Sequence, residues 1–208
     1  MPGFSDEKRA YVREQLVEEG RELFARYGLK KTTIADLTDA ADIADGTFYQ
    51  FFDSKEALYV EILDREGEEI VPEVLAPLEE EADPEAAIVG FLTRLMDEIE
   101  TNPLVRRLLV EPRELERLRE HRTPAERAAD RREELAYFLP YVEAWYDARQ
   151  VHGPSPEVVA NAIRSVAFLT LHREEIGPEL YDETRDLLVR AVARGLTAEP
   201  SGPTDDKD

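Results

Sequence analysis

The stretch Ala44-Asp45-Gly46-Thr47-Phe48-Tyr49-Gln50-Phe51-Phe52-Asp53-Ser54-Lys55 places three phenyl rings, Phe48, Phe51 and Phe52, on one side of a short helix at about 100° per residue. Gly46, Thr47 and Gln50 fall opposite, with Tyr49 on the flank. One side is thus built for a core. The other offers a glycine, a hydroxyl, an amide and a phenol. The glycine lets backbone approach a groove wall. Thr47 and Gln50 can reach base edges, a bidentate Gln–adenine pair being the best-defined option. Tyr49 can donate to a phosphate, which fixes register without reading sequence.

Upstream, Val12, Leu16, Gly20, Leu23, Phe24 and Tyr27 recur at steps of three and four, predicting a helix that Gly28 stops. A second short helix starts at Thr33, whose hydroxyl can accept from the Asp36 N–H, with Ile34, Leu37 and Ala41 facing inward. Asp42-Ile43-Ala44 interrupts the pattern, and Asp45 can cap the reading helix that follows. Asp53 and Glu56 suggest a capping box before a fourth helix through Leu58, Ile62 and Leu63. Pro72 and Pro77 are expected to bend or end that helix. Further breaks fall at Asp83-Pro84, Asn102-Pro103, Glu111-Pro112, Thr123-Pro124, Gly153-Pro154-Ser155-Pro156 and Gly177-Pro178. Strand signals are almost absent. The fold class is therefore all-α, with about nine helices. The expected domains are 1–55 as a helix-turn-helix head, 56–198 as a second helical domain, and 199–208 as a disordered polar tail.

The 208 residues contain no cysteine, which excludes disulfide scaffolds, thiolate metal sites and cysteine nucleophiles. No apolar run approaches the ~18–20 residues of a membrane span, and no signal-peptide core opens the chain, so a cytoplasmic location is expected. No nucleophile elbow, H-E-x-x-H pair, helical Glu-x-x-His pair or Gly-rich phosphate loop is present, so no catalytic residue, metal or cofactor is expected. An all-helical enzyme is left as a minor alternative. The net charge is −21. Arginine supplies all but five of the 26 bases, the lysines being Lys8, Lys30, Lys31, Lys55 and Lys207. An acidic chain that prefers Arg to Lys resembles proteins of concentrated salt, where screening with a Debye length near ~3 Å at 1 M removes self-repulsion.

The series Thr32-Thr33-Ile34-Ala35-Asp36-Leu37, then Ala40-Ala41-Asp42-Ile43-Ala44-Asp45-Gly46-Thr47-Phe48-Tyr49-Gln50-Phe51-Phe52-Asp53-Ser54-Lys55-Glu56-Ala57-Leu58, resembles the DNA-binding domain of the TetR family of transcriptional regulators. Leu23-Phe24 and Tyr27-Gly28 also sit where that family's first helix has them. The resemblance implies a homodimer bound to a palindromic double-stranded DNA operator, with residues 56–198 as the effector-binding and dimerisation domain, most often a repressor released by a small lipophilic effector. It implies phosphate contacts from Thr33 and Tyr49, groove contacts from Gly46, Thr47 and Gln50, and a backbone clamp from Lys55. Lys31, one of the bases flanking the head, joins this set. The chain departs from the family at Asp42, often Gly; at Ala44, often a small hydroxyl cap; and at Asp45, often basic or neutral. Five acids and no base lie between Thr32 and Asp53. That face would also suit a helix-turn-helix used as a protein-interaction module without DNA.

For the effector pocket the candidates are Phe91, Met96, Tyr137, Phe138, Tyr141, Trp145, Tyr146, Phe168 and His172, apolar walls with few polar anchors. For the dimer interface they are Val159, Ile163 and Val166 on one helix and Leu187, Leu188, Ala191 and Val192 on the last, which could build a four-helix interface. The Arg-rich stretch 113–132 alternates with Glu and reads as a salt-laced helix face.

Overall fold

The computed structural model describes residues 6–110 and 136–199. The expected helix start at Thr123-Pro124, the Glu111-Pro112 break, the stretch 113–132 and the tail beyond residue 199 lie outside the described residues.

All regular structure among the described residues is helical. In chain order it comprises α1 (Asp6–Lys31), α2 (Ile34–Ala40), α3 (Asp45–Phe48), α4 (Lys55–Glu80), α5 (Pro84–Thr101), α6 (Pro103–Val110), α7 (Leu139–Asp147), α8 (Pro156–Val166), a 3-10 turn (Ala167–His172), α9 (Arg173–Ile176) and α10 (Pro178–Thr197). Two compact units emerge. Residues 6–71, with 100–110, form the first; 72–99 and 136–199 form the second.

In the first unit, α1 breaks at Gly28, whose φ of 79° only glycine adopts freely. The sequence-predicted stop is therefore real as a kink, with a short helical turn continuing to Lys31. Val12, Leu16, Phe24, Leu29, Leu37, Phe48, Phe52, Leu58, Tyr59, Ile62 and Leu104 close one core. Phe24 and Tyr59 meet edge to face at 4.9 Å. A Cβ on Gly20 would stand 3.1 Å from both Ile62 and Leu58, so the glycine lets α1 and α4 approach closely. Salt bridges run between the same two helices outside the core, Arg13 to Glu61 and Arg65 to Glu14, and Arg65 also pairs with Glu61 one turn back on α4.

The α6 helix joins this unit through polar chemistry. Asn102 Oδ1 accepts from the Leu104 and Val105 amides at 3.0 and 3.3 Å, capping α6. Its Nδ2 donates to Glu66 at 2.7 Å. The nearly buried Glu66 carboxylate also accepts from Arg21. Burial pushes the Glu66 carboxyl up, but its bonds to Arg21 and Asn102 outweigh this and hold it below the usual range. Arg107 donates to the Ala25 and Arg26 carbonyls at 3.4 and 3.2 Å.

In the second unit, α4 runs through both Pro72 and Pro77, so neither proline ends it. The Pro77 ring removes the N–H that would pair with the Glu73 carbonyl, and Arg94 Nη1 on α5 takes that acceptor at 2.7 Å. Asp83 and Ser155 cap α5 and α8 just ahead of their N1 prolines. The apolar segment after Val158 is not one helix: α8 ends at Val166 and tightens into the 3-10 turn.

Candidate nucleic-acid interface

Thr33 opens α2 with a reciprocal cap. Its hydroxyl accepts from the Asp36 amide at 3.1 Å, and its own amide donates to Asp36 Oδ2 at 2.8 Å. The Thr33 hydroxyl donates to the same oxygen at 2.6 Å, and these bonds hold the Asp36 carboxyl below its ordinary value. Between α2 and α3 the chain reverses at Asp42, with φ 51°. That left-handed conformation favours glycine and is tolerated by aspartate.

The α3 helix is a single turn, shorter than the sequence suggests. Helical hydrogen bonding continues beyond it, from the Phe51 and Phe52 amides to the Phe48 carbonyl at 2.9 and 3.1 Å. Phe48 is fully buried and Phe52 nearly so, while Phe51 is partly covered against the same core. Opposite them, Gly46 and Gln50 are exposed and Tyr49 is 60% exposed. A Cβ on Gly46 would meet nothing within 4 Å. Thr47 is half-buried. The two sides of the segment are therefore those the sequence predicts.

Three local assignments change. Ala44 stands at the N-cap of α3 with no side-chain bond, and Asp45 does not cap the helix. Its carboxylate instead accepts from the buried Thr38 hydroxyl at 2.7 Å. The α4 cap is Ser54, which accepts from the Ala57 amide at 3.1 Å, rather than Asp53. Lys55 Nζ donates to the Leu29 and Thr32 carbonyls, both at 2.7 Å. It thus ties α4 to the α1–α2 turn and keeps at most one donor for a phosphate. A shallow depression beside it is lined by Thr33, Ile34, Tyr49, Asp53, Ser54 and Lys55.

Lys31 is exposed at the end of α1. Sequence reasoning left Arg9 and Arg13 out of the site, yet both flank the reading segment. Arg9 donates to the Gln50 carbonyl at 3.3 Å and lies over the Phe51 ring; Arg13 lies over Phe52. Their i, i+4 spacing ahead of an aromatic cluster was the available signal.

The effector candidates in the second unit separate. Phe91, Met96 and Phe138 are buried, with the Phe91 and Phe138 rings 5.1 Å apart. Trp145 is half-buried, Tyr141 donates to Glu79 at 2.6 Å, and Tyr146 donates to the Gly153 carbonyl at 3.0 Å. Tyr137, Phe168 and His172 face outward, because the first precedes α7 and the other two lie on the 3-10 turn, whose period differs from an α-helix. Of the dimer candidates, Val159, Ile163 and Val166 pack inside their own unit. The outward stripe of α8 is offset by one residue, at Val158, Ala162 and Ser165. On α10, Leu187 and Ala191 are exposed, and Leu188 and Val192 are half-buried.

Among the described residues, then, the chain is helical, and its head presents a short, phenyl-backed helix on a helix-turn-helix. Residues 16–62 match the family model of bacterial regulatory proteins, tetR family. Among curated relatives, the transcriptional repressor KstR2 of Rhodococcus jostii (strain RHA1) is 47% identical over 51 residues, 24% of this chain and 25% of the relative. The repressor DhaR of Mycobacterium sp. (strain GP1) is 40% identical over 55 residues, 26% and 28% of the two chains. The matched stretch thus spans about a quarter of these relatives. Likeness of fold extends further. A TetR family transcription regulator from Marinobacter aquaeolei VT8 superposes with a TM-score of 0.68 at 15% identity, covering 94% of this chain and 100% of the other.

Proposed function

We propose that the chain is a TetR-type DNA-binding transcriptional regulator and not an enzyme. The observation that carries this is the reading segment itself: Phe48 and Phe52 are buried while Gly46, Tyr49 and Gln50 are exposed. The match of residues 16–62 to the tetR family model supports it. The repressors among its relatives favour repression over activation.

In this reading Thr33 and Tyr49 hold phosphates, Gln50 and Thr47 read base edges, and Lys31 supplies charge at the rim. The protein acts as a homodimer on a palindromic operator. The exposed apolar residues Val158, Phe168 and Leu187, with Ala162 and Ala191, supply the pairing surface of the second unit. A small lipophilic effector binds in that unit and releases DNA. The acidic composition suits work in concentrated salt, where counterion release contributes little to affinity and contact geometry contributes more.

The test is selection of bound duplex from a random pool in concentrated KCl, with footprinting of the enriched sequence. A protected short palindrome is expected, and Gln50→Ala should relax preference at one base position. No retention of any duplex at any salt would overturn DNA binding and favour the protein-interaction module.

A further inference from the structure

Resting on that reading, we propose that Thr38 and Asp45 form a positioning clamp that replaces the missing N-cap of the reading helix and sets its angle to DNA. The α3 helix is four residues long, too short to hold its own orientation. Its first residue follows Ala44, whose side chain caps nothing. Phe48 and Phe52 anchor the buried side, and Ile43, packed on the same core with its amide on the Thr38 carbonyl at 3.0 Å, anchors the preceding turn, while Asp45 and Gly46 at the start of the helix have no apolar anchor.

The anchor at this end is polar. Thr38 on α2 is fully buried, at 0% exposure, and its hydroxyl lies 2.7 Å from Asp45 Oδ1. The Ile34 and Ala35 carbonyls lie at 2.9 and 3.1 Å. A hydroxyl has one proton, and the carboxylate is the nearest and strongest of the three acceptors. Three fixed points, at residues 45, 48 and 52, define the plane of the segment and hence where Gly46, Thr47 and Gln50 point. The clamp also holds an acidic side chain toward α2, on the flank of the outward face.

Four variants of the full chain test this: Thr38→Val, Asp45→Ala, the double variant, and Thr38→Val with Ala44→Ser. Valine fills the threonine volume, so the core keeps its packing, and serine restores an ordinary cap. The first readout is hydrogen exchange of the peptide covering residues 44–52. Thr38→Val and Asp45→Ala should each speed it about tenfold, the double variant no further, and Ala44→Ser should restore protection. The second readout is the ratio of affinities for the duplex enriched by the wild-type chain and for an unselected duplex of equal length. That ratio should fall about tenfold in Thr38→Val and recover with Ala44→Ser, a pattern that loss of stability alone does not give. Wild-type exchange in Thr38→Val, additive effects in the double variant, or failure of Ala44→Ser to restore protection would overturn the clamp. If the wild-type chain enriches no duplex, the DNA-binding reading fails, and the exchange measurement still decides whether the clamp exists.

Discussion

Asn102 does two jobs with one amide, and replacing it separates them. Its Oδ1 caps α6 through the Leu104 and Val105 amides, and its Nδ2 supplies the 2.7 Å bond to the nearly buried Glu66 carboxylate. Asn102→Ala loses both. The cap is worth about 1 kcal/mol, and a buried carboxylate deprived of a donor costs about 1.5–3 kcal/mol. The expected loss is about 3 kcal/mol at neutral pH. Asn102→Asp keeps the cap but sets a second carboxylate against Glu66. At an effective dielectric near 20 and about 3 Å, that repulsion has a ceiling of roughly 5 kcal/mol, so its neutral-pH loss should equal or exceed that of alanine.

The two variants then diverge with pH. Like charges raise the proton affinity of Glu66 and the introduced carboxylate in the folded state alone. The folded form of Asn102→Asp therefore binds more protons than its unfolded chain, and its stability relative to wild type rises as pH falls from about 7 toward 5. The protonated pair also regains a donor. The alanine deficit should stay nearly flat over that range. In the wild type the Glu66 carboxyl is depressed, so its stabilisation persists above the ordinary carboxylate range and fades only below it. Urea unfolding in constant KCl measures all three chains. Parallel pH profiles for the two variants would refute the reasoning.

Other outcomes follow from single features. Asp42→Gly should stabilise the head by about 0.5–1 kcal/mol in the same assay, because the residue already has φ 51°. Leu187→Glu, at a position 66% exposed, should shift the proposed dimer toward monomer in sedimentation velocity while leaving helical content unchanged. For the wild-type chain, log affinity against log KCl should fall with a slope far shallower than the roughly −6 to −10 of many phosphate contacts; a steep slope would contradict salt-adapted binding.

The periodic parts of this chain were legible. Phe48, Phe51 and Phe52 announce the covered side of the reading segment, and Thr33 with Asp36 announces the start of α2. These signals are local, set by neighbours within one or two turns. What sequence reasoning missed depends on partners far along the chain. The Glu73 carbonyl that Pro77 leaves without its amide finds a donor in Arg94. Lys55 is drawn to the carbonyls of residues 29 and 32. Asp45 turns to Thr38 instead of capping its own helix. Spacing alone could not place the 3-10 turn after Val166, and that change of period turns Phe168 and His172 outward. The one-residue offset of the exposed stripe on α8 has a related cause: Val158 and Val159 are equally apolar, and only the packing partner chooses between them.

The fit of α5 to Pro77 couples three positions. A Cβ on Gly90 would stand 2.8 Å from the Pro77 ring, and one turn later Arg94 grips the oxygen that the ring leaves over. Glycine makes room for the imino acid, and the guanidinium completes what it removes. A side chain at 90 or loss of the guanidinium at 94 is costly only while residue 77 is proline, so substitution at 77 should release both other positions.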